Sequence, residues 1–134
     1  MTERLEISEI FATDPEDIYE AWLDGEKHGK MTGSNAKIEP SIDGKFTTWD
    51  GYISGSTIAM EPGRRILQKW RTTDFPDESP DSTLEIILER VDEGTKITLI
   101  HTEIPEGQAA DYEEGWKEFY FEPMHRYFIG KGSL

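Results

Sequence analysis

Residues 115–128, GWKEFYFEPMHRYF, are the stretch of this sequence that decides the fold. The chain holds 4 Trp, 5 Tyr and 6 Phe among its 134 residues. Six of these aromatic residues fall within this one stretch: Trp116, Phe119, Tyr120, Phe121, Tyr127 and Phe128. So dense an apolar cluster, in a chain whose net charge is −14, needs a large surface to cover it.

The spacing of these residues predicts one long helix over residues 108–129. Six side chains fall within an arc of about 100° and form its apolar stripe: Tyr112, Trp116, Phe119, Tyr120, Pro123 and Tyr127. Phe121 and Phe128 fall on the opposite side, where they either form a dimer or partner surface or pack on an N-terminal helix. Pro123 lacks an amide hydrogen and clashes with the carbonyl four residues earlier, so we expect a bend near Phe119.

Upstream of this helix the hydrophobic period changes to two, which indicates strands. Four turn signals separate the extended segments: Asp43-Gly44, Asp50-Gly51, Pro62-Gly63 and Asp92-Glu93-Gly94. The alternation between them predicts strands over residues 5–11, 35–40, 45–50, 52–61, 65–73, 82–91 and 95–103. Asp14 as an N-cap and Pro15 at the first helical position predict a short helix after the first strand, and residues 24–33 are either helix or loop.

An antiparallel sheet of six or seven strands must cover one of its faces, and the aromatic helix is the obvious cover. The predicted fold class is therefore α+β, with the sheet packed on a long C-terminal helix and short helices after the first strand. At this length we expect one domain, residues 1–134.

The hairpin around Asp50-Gly51 leaves open which of its faces points inward. One face holds mostly small side chains, and if it points inward a void could remain opposite the helix: Phe46, Thr48, Ile53, Gly55, Thr57 and Ala59. The other face would fill the space: Trp49, Tyr52, Ile58 and Met60. A register slip or a bulge near Gly55 would exchange the two faces.

The later strands have clearer faces. Their apolar alternation predicts three inward sets: Ile66, Gln68 and Trp70; Leu84, Ile86 and Leu88; Ile97, Leu99 and His101. These sets bring two polar groups, Gln68 and His101, toward the helix. On the first strand, Glu9 has the parity of Leu5 and Ile7.

The composition excludes several classes of function. A net charge of −14 argues against nucleic acid and against an anionic membrane as partners, because phosphate groups need a basic surface. With no cysteine there are no disulfides and no thiolate metal sites. Neither a signal-length nor a membrane-spanning apolar run occurs, so we expect a cytoplasmic protein.

Three segments together resemble a known family: DGKFTTWDGYISGSTIAMEPGRRILQKWR (43–71), GTKITLIHTEIP (94–105) and EEGWKEFYFEPMHRYF (113–128). The pattern is a glycine-framed hairpin, a strand that ends in Trp-Arg, and Gly-Trp followed by aromatics in the last helix. It is similar to the C-terminal domain of the activators of the ninety-kilodalton heat-shock-protein ATPase. The positions that fit it are Gly51, Gly55, Pro62, Trp70, Arg71, Gly115, Trp116, Tyr120 and Phe121.

This resemblance implies a START-like, helix-grip fold of the SRPBCC superfamily, in which a curved antiparallel sheet wraps a long C-terminal helix. Many members of that superfamily hold an apolar ligand between helix and sheet, and some are enzymes. The eukaryotic co-chaperones of the family have a separate N-terminal domain that binds the chaperone. The resemblance therefore implies either an apolar small molecule or a chaperone-type protein as partner, for a monomer or homodimer.

The leading hypothesis is that the chain binds an apolar small molecule between the sheet and the C-terminal helix. The side chains expected to contact it are Phe46, Thr48, Gln68, Trp70, His101, Trp116, Tyr120 and Met124. Each aromatic in this set could instead be ordinary core, and His101 could be a hydrogen-bonded core histidine. We expect no metal, because His28, His101 and His125 lack metal-ligand spacing, and no cofactor.

Two other hypotheses remain. A protein-interaction module could dock an acidic partner on Arg64, Arg65, Lys69 and Arg71, although these side chains could equally pair with nearby acids such as Asp74, Asp77 and Glu78. An enzyme could use His101 or Glu9, although Glu9 could simply place its carboxylate in water at the end of its strand. No catalytic constellation is apparent.

Overall fold

The structure is a computed structural model that describes residues 2–132, with side chains as far as Phe128. Seven strands form: β1 (Thr2–Phe11), β2 (Lys37–Ile38), β3 (Lys45–Thr48), β4 (Ile53–Glu61), β5 (Arg65–Thr72), β6 (Ser82–Val91) and β7 (Gly94–Pro105). The helices are α1 (Pro15–Leu23), α2 (Gly25–Thr32), α3 (Ala109–Gly115) and α4 (Glu122–Gly132). A π-helical segment, Trp116–Phe121, joins the last two.

All seven strands form one antiparallel sheet in the order β1-β7-β6-β5-β4-β3-β2. The C-terminal helix covers one face of that sheet, and α1 and α2 follow the first strand. The predicted α+β helix-grip class is confirmed. The strands predicted at 35–40 and 45–50 are shorter than expected, while β1 and β7 extend further. None of the helices in the described part of the chain is both long and apolar enough to span a membrane.

Pro123 shapes the C-terminal helix as expected, but the result is a widened turn within a continuous helix. The backbone N–H of Glu122 donates to the carbonyl of Lys117, five residues earlier, in place of the usual partner four residues earlier. Pro123 itself has no N–H to donate to Phe119, so the wider hydrogen-bond spacing just before it avoids a clash with that carbonyl.

The π-helical segment changes which side chains face the sheet. In a regular α-helix, residues four apart drift by about 40° per step, but the wider turn keeps a run at this spacing buried: Tyr112, Trp116, Tyr120, Met124 and Phe128. The predicted stripe is therefore wrong in part: Phe119 is 51% exposed, and Pro123 and Tyr127 are only half-buried.

Of the two alternatives for Phe121 and Phe128, packing within the protein is the one observed, because both side chains are buried. Their rings pack edge-on against Phe11 at the end of β1, with centroids 5.7 and 6.4 Å away. They therefore form neither a dimer surface nor a partner surface, and their main aromatic contact is the first strand.

The β3–β4 hairpin turns its small-residue face inward. Phe46, Thr48 and Ile53 are buried, and Thr48 lies opposite Ile53. A bulge after Thr57 then reverses the alternation, so that Met60 packs on the core and Ile58 is exposed. The sequence left open a register slip or a bulge near Gly55, and the bulge observed lies three residues later.

The inward hairpin face leaves no large void at its centre, because Phe46 occupies the space above Gly55. These two residues are opposite each other on β3 and β4. A Cβ at position 55 would overlap the carbonyl oxygen of Lys69 and lie 2.7 Å from Cζ of Phe46. The absent side chain of Gly55 therefore makes room for the Phe46 ring.

We predict that Gly55→Ala lowers the free energy of unfolding by about 2–3 kcal/mol, because overpacking displaces Phe46 or the β5 backbone. Urea denaturation of the two proteins measures the difference. Ser54→Ala, next to it but pointing to the other face, is the control and should change stability by less than about 0.5 kcal/mol. Equal stability of Gly55→Ala and the parent would contradict this packing.

Candidate functional site

A cavity of about 360 Å³ lies at one end of the interface between the sheet and the C-terminal helix. Its lining is almost entirely apolar and mostly aromatic: Trp49, Tyr52, Ile53, Trp70, Asp111, Tyr112, Gly115, Trp116, Phe119 and Tyr120. We call this cavity the aromatic pocket. It opens to solvent at Phe119 and Tyr52, whose side chains are 51% and 38% exposed.

The mouth of the aromatic pocket is formed by the β3–β4 turn. Tyr52 N–H donates to the carbonyl of Trp49 at 3.1 Å, and Asp50 and Gly51 have φ of 57° and 92°, as the Asp-Gly signal predicted. Trp49 also has a positive φ, 54°, which is unfavourable for a bulky residue and therefore points to a specific role. This backbone places its indole 5.7 Å from the ring of Phe119 and 6.3 Å from that of Tyr120.

The wall of the pocket is a group of aromatic rings from β5 and the C-terminal helix. The ring centroids of Trp70 and Trp116 are 5.6 Å apart, and those of Trp116 and Tyr120 are 4.8 Å apart. Tyr112 meets Trp70 edge-on at 5.2 Å. Behind them, Trp22 of α1 stacks on Trp116 at 6.1 Å, so the wall is rigid.

His101 holds the wall from behind. The indole N–H of Trp116 donates to its Nδ1 at 3.2 Å, so the proton of the neutral ring is on Nε2. That N–H then donates to Oγ of Ser82 at 2.8 Å, and the Ser82 hydroxyl donates to the carbonyl of Trp70 at 2.7 Å. Burial lowers the pKa of His101 to about 3, so the ring is neutral at physiological pH.

A second buried histidine, His28 of α2, holds Tyr120. Its Nδ1 donates to the carbonyl of Trp22 at 3.0 Å, and its Nε2 accepts from the hydroxyl of Tyr120 at 2.8 Å. Burial lowers the pKa of His28 to about 4, although the Trp22 carbonyl opposes that shift. Nothing in the sequence pattern indicates this role beyond the presence of a histidine.

Deeper in the interface only about 10 Å³ is empty, which is room for one water at most. Gln68 occupies this region, accepting from the indole N–H of Trp22 at 3.3 Å and donating to the Thr57 hydroxyl at 3.2 Å. Phe46 and Thr48 border the same small void. The inward polar group predicted on β5 is therefore paired with other protein groups.

The structure divides the eight predicted ligand-binding residues among four places. Trp70, Trp116 and Tyr120 line the aromatic pocket, while Phe46, Thr48 and Gln68 surround the deeper void. His101 lies behind Trp116, and Met124 is fully buried core.

Seven residues that line the pocket were not among the predicted contacts: Trp49, Tyr52, Ile53, Asp111, Tyr112, Gly115 and Phe119. The Asp-Gly turn beside Trp49 was the available signal, since a hairpin turn next to an aromatic helix can close the end of a sheet. Phe119 was assigned to the buried stripe and missed because the π-helical segment rotates it outward.

Polar groups line one side of the mouth. Tyr52 donates its hydroxyl hydrogen to Oδ2 of Asp74 at 2.6 Å, and Tyr112 donates to Oε1 of Gln108 at 2.6 Å. Gln108 in turn donates to the carbonyl of Asp74 at 3.0 Å. The carboxylate of Asp74 therefore lies beside the entrance, together with Asp111 in the lining.

The other candidate groups lie elsewhere. Glu9 contacts Nε2 of His125 at 2.8 Å, which joins β1 to α4 near the surface, and neither residue lines the pocket. Arg65 pairs with Glu61 and Glu85.

On the same strand, Arg71 pairs with Asp81, and Lys69 donates to the hydroxyl of Thr83. These cations do pair with local groups, but the acids involved are not those expected from the sequence. Within the described residues, no three His, Asp and Glu side chains are grouped so that they could hold a metal ion. What remains is a rigid apolar pocket suited to binding.

Comparison with known proteins gives a consistent result. The model of the family described as "Activator of Hsp90 ATPase homolog 1-like protein" matches residues 12–128. The human "Activator of 90 kDa heat shock protein ATPase homolog 1" is 28% identical over 125 residues, which are 93% of this chain and 37% of that protein. The Dictyostelium discoideum homologue is 30% identical over 118 residues, 87% of this chain and 30% of that protein. The chain thus spans about a third of the length of these relatives.

Solved structures agree with the fold. An HSP90 activator from Plasmodium falciparum superimposes with a TM-score of 0.80 at 27% identity, over 89% of this chain and 91% of that one. The Aha1 dimer from Colwellia psychrerythraea superimposes with a TM-score of 0.76 at 16% identity, over 98% of both chains. At that identity the second likeness shows the fold alone.

The two buried histidines predict a pH dependence of stability. Below about pH 6.5 the unfolded chain protonates both, whereas the folded chain does not until the pH approaches 4 and 3. The free energy of unfolding should therefore be highest above pH 6.5 and fall by about 1.4 kcal/mol per pH unit for each histidine. Urea denaturation between about pH 6.5 and 5 measures this slope.

The matched variant is His101→Gln, whose amide can still accept from Trp116 and donate to Ser82 but does not titrate. In this variant the slope should fall by about half. An unchanged slope would mean that His101 is not the buried neutral group described here.

Proposed function

This chain is a member of the Activator of Hsp90 ATPase homolog 1-like family, and on that premise we propose that it is a binding module that holds a small apolar molecule in the aromatic pocket. The family model covers residues 12–128 and therefore includes every element that forms the pocket. The proposal includes a cytosolic location.

One observation supports this function above all: the interface between sheet and helix is nearly filled around Phe46 and Gln68 but open at this end. Phe46 and Gln68 leave only about 10 Å³ in the interior, whereas about 360 Å³ remains beside Trp49 and Phe119. Ligand sites are typically concave, mostly apolar and roughly 300–1,000 Å³ in volume. The expected ligand therefore enters at the β3–β4 turn and does not reach the centre of the sheet.

The chain offers a site at which the pocket can be filled without disturbing the fold. Gly115 lies in the lining with helical backbone angles, φ −61° and ψ −42°. A Cβ there would meet only Cδ2 of Phe119, at 4.0 Å. A larger side chain at position 115 would therefore extend into the cavity from a backbone that accepts it.

We predict that Gly115→Leu loses ligand binding while remaining folded, because the leucine side chain occupies the pocket. Gly115→Ala is the matched control: it should keep binding and gain up to about 1 kcal/mol of stability from removing a helical glycine. Native mass spectrometry of the freshly purified proteins detects a co-purified molecule and shows the oligomeric state. Titration with the neutral fluorophore N-phenyl-1-naphthylamine measures pocket access directly.

The proposal requires a bound mass or fluorophore binding in the parent and in Gly115→Ala, and its loss in Gly115→Leu. Fluorophore binding of equal strength in all three proteins would place the site elsewhere. No bound mass and no fluorophore binding to the parent would contradict the proposal.

A second candidate function is docking on a chaperone. The curated relatives are named as activators of the 90 kDa heat shock protein ATPase, and the similar Plasmodium structure is described as an HSP90 activator. In this chain the half-exposed ring of Phe119 stands at the pocket mouth beside Tyr52. Exposed aromatics around a groove are typical of protein-binding surfaces.

If the chain docks in this way, it should raise the ATP hydrolysis rate of a purified 90 kDa heat-shock chaperone by about two-fold or more. Phe119→Ser should lose that stimulation, because an exposed aromatic anchor is removed at little cost in stability. Ile10→Ser, which removes an exposed apolar side chain on the opposite edge strand, is the control and should still stimulate. An unchanged rate with the parent protein would argue against this function.

A further inference from the structure

We infer that the aromatic pocket selects a cationic ligand, an organic ammonium ion with an apolar body. This inference rests on the proposed small-molecule binding and specifies the chemical class of the ligand. It rests on two features found together: walls of aromatic rings, and carboxylates at the edge of the pocket. A neutral apolar ligand would give those carboxylates no partner.

The first observation is that the walls of the pocket are aromatic. Seven aromatic rings line the pocket, together with one carboxylate, one aliphatic residue and one glycine. One of these rings, that of Tyr112, also donates its hydroxyl hydrogen to Gln108. Adjacent rings are set at steep angles to each other: 83° between Trp70 and Tyr112, 70° between Trp49 and Phe119. Three of the lining rings are tryptophans, Trp49, Trp70 and Trp116. Aromatic ring faces attract cations, tryptophan most strongly.

The second observation is that the charged groups at the edge of the pocket are carboxylates. Asp111 is in the lining itself, and Tyr52 holds the carboxylate of Asp74 at the mouth. Of the residues described, none that lines the pocket is a lysine or an arginine. An uncompensated carboxylate at the edge of an apolar cavity favours a positively charged ligand over a neutral or anionic one.

The nearest cations are committed to other groups, which is the third observation. Arg71, next to Trp70 on β5, donates to Asp81 and to the carbonyls of Ser79 and Pro76, on the other face of the sheet. Lys117, next to Trp116, pairs with Glu113. Neither side chain is available to neutralise Asp111 or Asp74, so the negative field at the mouth persists in a chain of net charge −14.

The size of the cavity limits the ligand. About 360 Å³ is at the lower end of the range of ligand pockets, which fits a compact aryl- or alkylammonium ion and excludes a complete lipid. The ammonium group would lie near Asp111 at the edge, with its apolar part among Trp70, Trp116 and Tyr120.

The test compares two probes of the same shape, benzyltrimethylammonium and neopentylbenzene, in which carbon replaces nitrogen. Both displace N-phenyl-1-naphthylamine from the parent protein at low ionic strength if they enter the pocket. We expect the ammonium probe to bind about ten-fold more tightly. Asp111→Asn should reduce that preference several-fold, while Asp92→Asn, in the β6–β7 turn away from the pocket, removes the same charge and should leave it unchanged.

The outcomes separate this inference from the proposed function. Equal affinity for the two probes, or a preference that Asp92→Asn reduces as much as Asp111→Asn, would overturn the cation inference while pocket binding stands. Because Gly115→Leu is expected to lose the fluorophore, direct binding of the two probes to this variant is measured by isothermal titration calorimetry. Both should fail to bind, and ammonium binding that survives in Gly115→Leu would also overturn the inference. Failure of the fluorophore itself to bind would instead contradict the proposed function.

Discussion

The packing of Trp116 against the sheet is the interaction on which the rest of this structure depends. The indole lies between Trp22 of α1 and Trp70 of β5, and its N–H is taken up by a histidine whose other nitrogen is bonded to Ser82. One side chain thus joins the first helix, the middle of the sheet and the C-terminal helix. Because a buried indole N–H without an acceptor would cost roughly 1–3 kcal/mol, the neutral state of His101 is a condition of the fold as well as a result of it.

The location of the pocket follows from this arrangement. Around Trp22, Gln68 and Phe46 the interior is closed, and the polar groups there are paired with one another. Toward the β3–β4 turn, the helix places Gly115 in the pocket lining and turns Phe119 outward. The sheet and the helix therefore separate at this end, and the aromatic pocket lies between them. A gap at this end leaves the core's hydrogen bonds intact, whereas a gap at the centre would leave buried donors without acceptors.

Much of the fold could be predicted from the sequence because period-two alternation and Asp-Gly turns are local signals. The inward sets of β5, β6 and β7 were predicted correctly, and so was the antiparallel character of the sheet. The site was predicted only in part, for reasons that are not local. The π-helical turn before Pro123 shifts the phase of the helix, which buries Phe121 and exposes Phe119.

Likewise, whether Gly55 leaves a void depends on the rotamer of Phe46 across the hairpin, and His28 reaches Tyr120 only through tertiary packing. The hydrophobic periodicity of a sequence reports on one segment at a time, so it reveals neither of these contacts between segments. Whether a void remains opposite the hairpin, which the sequence left open, is therefore decided by tertiary packing. The inward direction of Trp70, Trp116 and Tyr120, in contrast, follows from the pattern of each residue's own element.

The close approach of three of the four indoles has an optical consequence. The ring centroids of Trp22 and Trp116 are 6.1 Å apart, and those of Trp116 and Trp70 are 5.6 Å apart. These distances are short enough for the electronic transitions of the three indoles to couple. The protein should therefore show strong near-ultraviolet circular dichroism of a shape that single tryptophans do not give. Trp49, outside this group at the pocket mouth, can pass excitation to it, so the chromophores that build the wall also form an intrinsic reporter of what lies against them.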